Sequence, residues 1–202
     1  MTQKPIWKEG FLFIGNQLAL DFVNTRPVQN EEAVELLPDF KALMRWFHAA
    51  DLLSNRETAR IQEQWDDSRG RSKIQAIWEL REGLRKEILA WEGNGTLQGS
   101  IMSKLNRLLA EHPMLTRLKM TGNELSKELY FEVKQPEDLF APLAYSAARL
   151  FTELDRDRIR KCGNCILHFH DTSKKGTRRW CSMQLCGNRL KVAAYTARQR
   201  SS

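Results

Sequence analysis

The sequence has no run of about 20 apolar residues, so nothing in it reads as a bilayer-spanning helix. Its first ten residues, Met1–Gly10, hold a proline, a glutamate and no apolar stretch, which does not suit a secretory signal. It has no internal repeat or low-complexity tract, no Gly-rich phosphate loop, no nucleophile elbow and no carboxylate pair at catalytic spacing. Cysteine is missing from the first 161 residues. These absences set aside membrane, secreted and repeat classes and nominate no catalytic residue. The expectation is a cytoplasmic protein that is not an enzyme. What is present, 202 residues of which 42% are hydrophobic and 28% charged, suits one sizeable core with a small module attached.

The net charge of +7 is unevenly spread. Residues 156–202 carry twelve basic and two acidic side chains, a net +10, which leaves the first 155 residues at −3. All four cysteines fall in the basic segment. Charge and cysteine usage thus place a boundary near Arg156, between a domain over 1–155 and a module over 156–202.

The first part reads as mainly helical with short β elements. Phe11–Ile14 suits a strand closed by Gly15-Asn16, and Leu18, Leu20, Phe22 and Val23 suit a short buried helix ending near Asn24. Asp39 can cap a helix whose apolar face is Phe40, Leu43, Met44 and Phe47, and Ser54 with Glu57 has the capping-box pattern. A break is expected over Ser68–Ser72. Ile74, Ile77, Trp78, Leu84, Ile88 and Trp91 then recur at helical spacing up to Gly93-Asn94-Gly95, and Ile101, Leu105, Leu108 and Leu109 follow on a shorter helix. Leu115–Met120 and Leu129–Val133 flank Thr121-Gly122-Asn123 as a hairpin. Pro136 opens a helix with an apolar stripe from Leu139 to Leu154. The tryptophans of this part, Trp7, Trp46, Trp65, Trp78 and Trp91, are expected in the core.

Cys162-x2-Cys165 and Cys181-x4-Cys186, fifteen residues apart, form two close pairs of soft donors joined by a hairpin-length insert. That is the arrangement a tetrahedral zinc ion needs, and four thiolates would fill its shell, so the site is expected to be structural. Two disulfides or four free thiols are the alternatives. Gly163 would let the chain turn between the first two thiolates. Ile166–His170 and Arg179–Cys181 would be hairpin arms around Thr172–Thr177, with Cys186 opening an amphipathic helix where the dipole favours a thiolate. This order of elements implies a treble-clef-like finger. His168 and His170, on one strand face, are weighed as ligands and set behind the cysteines as hydrogen-bonding or phosphate-contacting groups.

Arg160–Arg200 resembles the CGNR zinc finger, through Cys186-Gly187-Asn188-Arg189, Phe169-x-Asp171-x-Ser173, Arg178-Arg179-Trp180-Cys181-Ser182-Met183 and the downstream Lys191, Tyr195 and Arg198. Lys174-Lys175-Gly176 stands where the family often has asparagine. Leu18-Ala19-Leu20-Asp21-Phe22-Val23-Asn24-Thr25 resembles the opening signature of the ABATE domain, which commonly precedes that finger, and Leu36–Leu53 is similar to its next helix. The resemblance implies a transcriptional regulator, in a family partly linked to stress responses.

A zinc-loaded module of this charge attracts nucleic acid. Lys174, Lys175, Arg178 and Arg179 are candidates for phosphates. Asn188 and Arg189 are candidates for base edges, with Lys191, Tyr195 and Arg198 on the same helix; the alternative is that Asn188 hydrogen-bonds the zinc knuckle and Arg189 braces Asp171 or the domain interface. Trp180 would pack under the finger. Asp21, Asn24 and Thr25 could line a small-ligand pocket for an effector, or cap the helix and tie down the next loop. The leading expectation is a zinc-dependent DNA-binding regulator whose first domain senses an effector or forms a homodimer. An RNA-binding or protein-interaction module stapled by zinc is the alternative, and an enzyme on the helical domain has least support.

Overall fold

The computed structural model describes residues 7–29, 32–65 and 67–187. The architecture is α+β and mainly helical, with short antiparallel strand pairs. In chain order the elements are β1 (Trp7–Lys8), β2 (Phe11–Leu12), α1 (Leu18–Val23), β3 (Val28–Gln29), β4 (Glu32–Ala33), α2 (Phe40–Ala49), α3 (Asn55–Gln64), α4 (Asp67–Asn94), α5 (Gly99–Glu111), β5 (Leu115–Thr121), β6 (Glu124–Tyr130), α6 (Phe140–Glu153), β7 (Ile159–Lys161) and β8 (His168–His170). Among the described residues, no helix is long and apolar enough to cross a membrane.

The local signals in the sequence account for the helix starts. Asp39 accepts the Ala42 N–H at 2.7 Å, and Ser54 and Glu57 close a reciprocal capping box, each cap contributing about 1 kcal/mol. Gln17 caps α1 by accepting from Ala19 and Leu20. Between α3 and α4 the break falls at Trp65, whose extended backbone and buried ring form the corner, and not across Ser68–Ser72. The lone Gly70 costs a helix only about 1 kcal/mol, which the buried stripe of Ile74, Ile77, Leu80, Leu84 and Ile88 downstream readily offsets.

The large core joins α1, α2, α4, α5 and α6 around Trp46, Phe22 and Phe47, all fully buried. Trp65 and Trp91 belong to it and Trp78 packs at its edge, donating its indole N–H to the Leu37 carbonyl at 2.9 Å. Trp7 does not: on strand β1, opposite the buried Leu12, it is 49% exposed. The Pro136 stripe is buried from Leu139 to Leu150, but Pro136–Leu139 is a 3-10 turn ahead of α6. The β5–β6 hairpin closes with Thr121 opposite Glu124, and Gly122 takes the positive φ of 62° that its tight turn requires. This turn starts β6 at Glu124, earlier than the apolar run Leu129–Val133 suggests, while Phe131 and Val133 leave the ribbon to pack on the core.

A second, smaller core gathers Leu12, Ile14, Cys162, Leu167, Phe169, Cys181 and Cys186, with Trp180 against it. Its cysteines come from the basic segment, whereas Leu12 and Ile14 come from the start of the chain.

Candidate metal centre and its seat on the helical domain

The strand after the first cysteine pair finds a different partner from the one its position suggests. β8 pairs with β7 in register Ile159–His170, Arg160–Phe169 and Lys161–His168, so Cys162 and Cys165 occupy the loop between them. The segment expected as its partner, Arg179–Cys181, instead follows a loop wound around Asp171. That buried carboxylate accepts the N–H of Ser173 at 2.9 Å and of Arg178 at 2.8 Å. Burial pushes the Asp171 carboxyl up, but the Ser173 and Arg178 hydrogen bonds outweigh it and hold it at about 2. Arg158 donates to the carbonyls of Asp171 and Ser173, and Arg160 to that of Gly176, which closes the loop.

Gly163 serves by its small size. A Cβ there would stand 3.0 Å from the Trp180 ring, and its N–H donates to the Arg179 carbonyl at 3.0 Å, so glycine lets the two cysteine-bearing segments close on each other. Cys186 is placed by a π-type turn over Met183–Gly187, in which the N–H groups of Cys186 and Gly187 both reach the Ser182 carbonyl.

The four sulfurs of Cys162, Cys165, Cys181 and Cys186 lie within 4.8 Å of one another. Cys165 and Cys181 are 3.7 Å apart, and Cys181 and Cys186 3.6 Å. A disulfide would need about 2.05 Å. Four thiolates at about 2.3 Å around a tetrahedral ion would lie about 3.8 Å apart, so the donor set fits one structural zinc. Without a cation the thiols oppose one another: the hydrogen bond from Cys181 holds Cys165 down to about 5, the same bond pushes Cys181 up, and burial raises Cys186 to about 11. A divalent cation lets all four ionise together. Neither histidine joins the cluster. His168 is 1% exposed, its ring nitrogens lack hydrogen-bond partners, and burial, with Arg85 and Lys161 nearby, lowers it to about 4, so it is neutral.

The finger is seated on α1 and the loop before it. Asn24, 1% exposed, donates to the His168 carbonyl at 2.8 Å and accepts the His168 N–H at 2.9 Å, as a neighbouring strand would. The His170 N–H donates to the Gly15 carbonyl at 2.8 Å, and the Asn16 side chain donates to the His170 carbonyl at 2.9 Å. Asp21 accepts the Gly15 N–H at 2.7 Å, and burial raises its carboxyl to about 7 against the hydrogen bonds from Gly15 and Ile14. Thr25 accepts from Arg81, a 1% exposed guanidinium that also pairs with Glu35. Asp21, Asn24 and Thr25 therefore spend their polar atoms inside the fold. A cavity of about 420 Å³ nearby is lined by Asn16, Gln17, Leu52, Leu129, Tyr145 and Arg149 among others, and not by those three residues.

Of the basic side chains expected to meet phosphate, Lys174, Lys175 and Arg179 are exposed, with Arg179 over the Trp180 ring. Arg178 turns inward: its guanidinium donates to the carbonyls of Trp180 and Cys181 and stacks on Phe169 at 4.6 Å, which sets a positive charge beside the cysteines. Asn188, Arg189, Lys191, Tyr195 and Arg198, with the expected helix beyond Gly187, lie outside the described residues. Sequence reasoning missed Asp171 as the organiser of the loop, although Phe169-x-Asp171-x-Ser173 stood out as a pattern. It also missed Leu12 and Ile14 as part of the finger's core, for which no local signal exists.

Residues 16–154 match the family model ABATE, described as "Putative stress-induced transcription regulator", and residues 158–199 match the CGNR zinc finger. No curated protein matches the chain.

Proposed function

The chain belongs to the ABATE family and carries a CGNR zinc finger, and on that premise we propose that it is a cytoplasmic, zinc-dependent DNA-binding transcriptional regulator. The observation that carries this reading is the exposure of Lys174, Lys175 and Arg179 on a loop whose backbone is fixed by Asp171, next to a four-cysteine site in a strongly basic segment. One zinc and four thiolates together subtract two charges, which leaves that segment at about +8. Long basic side chains on a rigid loop can engage phosphates with little ordering cost on binding. Arg178 enters as the brace that keeps Cys181 in place, and Asn188 and Arg189 as the base readers at the head of a treble-clef-like helix that continues through Lys191, Tyr195 and Arg198.

The helical domain acts as the regulatory half. Asn24 and Asp21 link α1 to β8, so whatever shifts α1 also shifts the strand beside the metal site. Selection of bound sequences from a random duplex pool, with the zinc-loaded full chain, tests the reading. The expected result is an enriched sequence whose affinity falls steeply with salt. A flat pool, or preference for structured RNA over every duplex, would overturn it.

A further inference from the structure

The β5–β6 ribbon has an apolar face that none of the described residues covers. Its register puts Thr116 opposite Leu129, Leu118 opposite Lys127 and Met120 opposite Leu125, and strand alternation brings these six side chains to one face. Leu118 is 72% exposed, Leu125 60%, Met120 59% and Leu129 42%. A two-stranded ribbon with an open apolar face is marginal in water and gains from being covered.

The reverse face satisfies its own charges. Glu128 accepts from Arg117 at 2.6 Å and from Lys119 at 2.8 Å, and Arg117 lies over the Tyr130 ring at 4.6 Å. The ribbon holds three cations and two carboxylates, a net charge of +1, which is small beside the strongly basic segment and does not make it an electrostatic site for a nucleic acid. On the apolar face Lys127 is the one charge, and its long stem can extend the apolar strip while the amine stays in water.

Leu129 belongs to two features at once: it ends the apolar strip and lines the 420 Å³ cavity with Met114, Leu18, Leu52, Tyr145 and Leu154. A projecting apolar tip thus adjoins a recess in which those apolar side chains lie beside the polar Asn16, Gln17, Ser146 and Arg149. The ribbon spans about 24 Å, so the tip cannot fold back into its own recess, but a second copy related by a two-fold axis presents a matching recess.

We infer that this face is a homodimer interface, in which the Met120 and Leu125 tip of each ribbon seats at the Leu129 recess of a second copy of this chain. A two-fold contact uses every projection and every recess once and closes on itself, so it produces a dimer and no filament. The interface stands whether or not the finger reads DNA.

Sedimentation of the zinc-loaded full chain across a concentration series tests this, with the double variant L118E/L125E beside it. Wild type should be a dimer at micromolar concentration. The variant, losing two buried leucine contacts and gaining like charges, should dissociate about 100-fold more readily. Both substitutions lie on solvent-exposed side chains, so an unchanged thermal melt at low concentration verifies that the variant is folded. A photo-crosslinker at position 125, in a mixture of isotopically light and heavy chains, should mark peptides around Met114 or Leu129 of the other chain. A wild type that stays monomeric, a dimer indifferent to the double variant, or a face that instead takes up lipid vesicles would each overturn the inference.

Discussion

Asn24 grips the backbone of His168 from both sides, donating to its carbonyl and accepting its N–H, across 144 residues of sequence. A side chain that imitates a strand edge in this way gives β8 a second neighbour, with β7 on the other flank. The finger is thereby stitched to the helical domain by hydrogen bonds to the backbone of β8, which are indifferent to the side chains of the strand they hold. The expected division at residue 155 or 156 marks a change of charge, but the small core and the hydrogen bonds both cross it.

Replacing Asn24 by Ala should leave a donor and an acceptor of His168 buried without partners, at a cost of about 1–3 kcal/mol for each group. Urea unfolding should show a loss of several kcal/mol in total, and amide exchange at His168 should accelerate well before the α4 amides respond. A variant as stable as the wild type would show that the clasp adds nothing.

Arg178 and Arg179 should separate cleanly despite being neighbours. Arg178→Ala removes the donor to the Cys181 carbonyl and should weaken zinc retention by about 10- to 100-fold in a chelator competition, as loss of a group supporting metal ligands does. Arg179→Ala should keep its zinc and its melting temperature while lowering the salt slope of duplex binding by about 1 unit. The opposite pattern would reverse the two roles.

Asp21 gives the fold a pH dependence of definite sign. Its carboxyl titrates near 7 when folded and near 3.8 in the unfolded chain, so between those values the folded state holds the extra proton. The stability from this group is present below about 4 and is lost as pH rises through 7. Asp21→Asn, which cannot ionise, should gain on the wild type by a few kcal/mol between pH 5.5 and 8, read as a growing difference in melting temperature. A difference that is flat across that range would mean that Asp21 ionises in place without penalty.

The helix starts were legible because caps are local: Asp39 and Ser54 announce α2 and α3 within four residues. The cysteines were legible because a metal site needs donors at short spacing. The partner of β8 was not, since strand pairing is a long-range choice and the Asp171 carboxylate competes for the loop that would have been the second arm. For the same reason Asn24 looked equally suited to capping and to a ligand pocket, its true partner being the backbone of a distant strand. Arg178 and Arg179 are alike in sequence, and only the position of the Phe169 ring and the Cys181 carbonyl distinguishes the half-buried brace from the exposed cation.

Joined through Gly15, Asn24 and β8, zinc centre and helical domain should respond as one unit. Amide exchange on the full chain, measured zinc-loaded and after chelation, tests it most directly. Removing zinc should deprotect residues 162–170 and, together with them, the segment 12–24, while the centre of α4 keeps its protection. Loss of protection confined to the cysteine-bearing segment, with residues 12–24 unchanged, would contradict it.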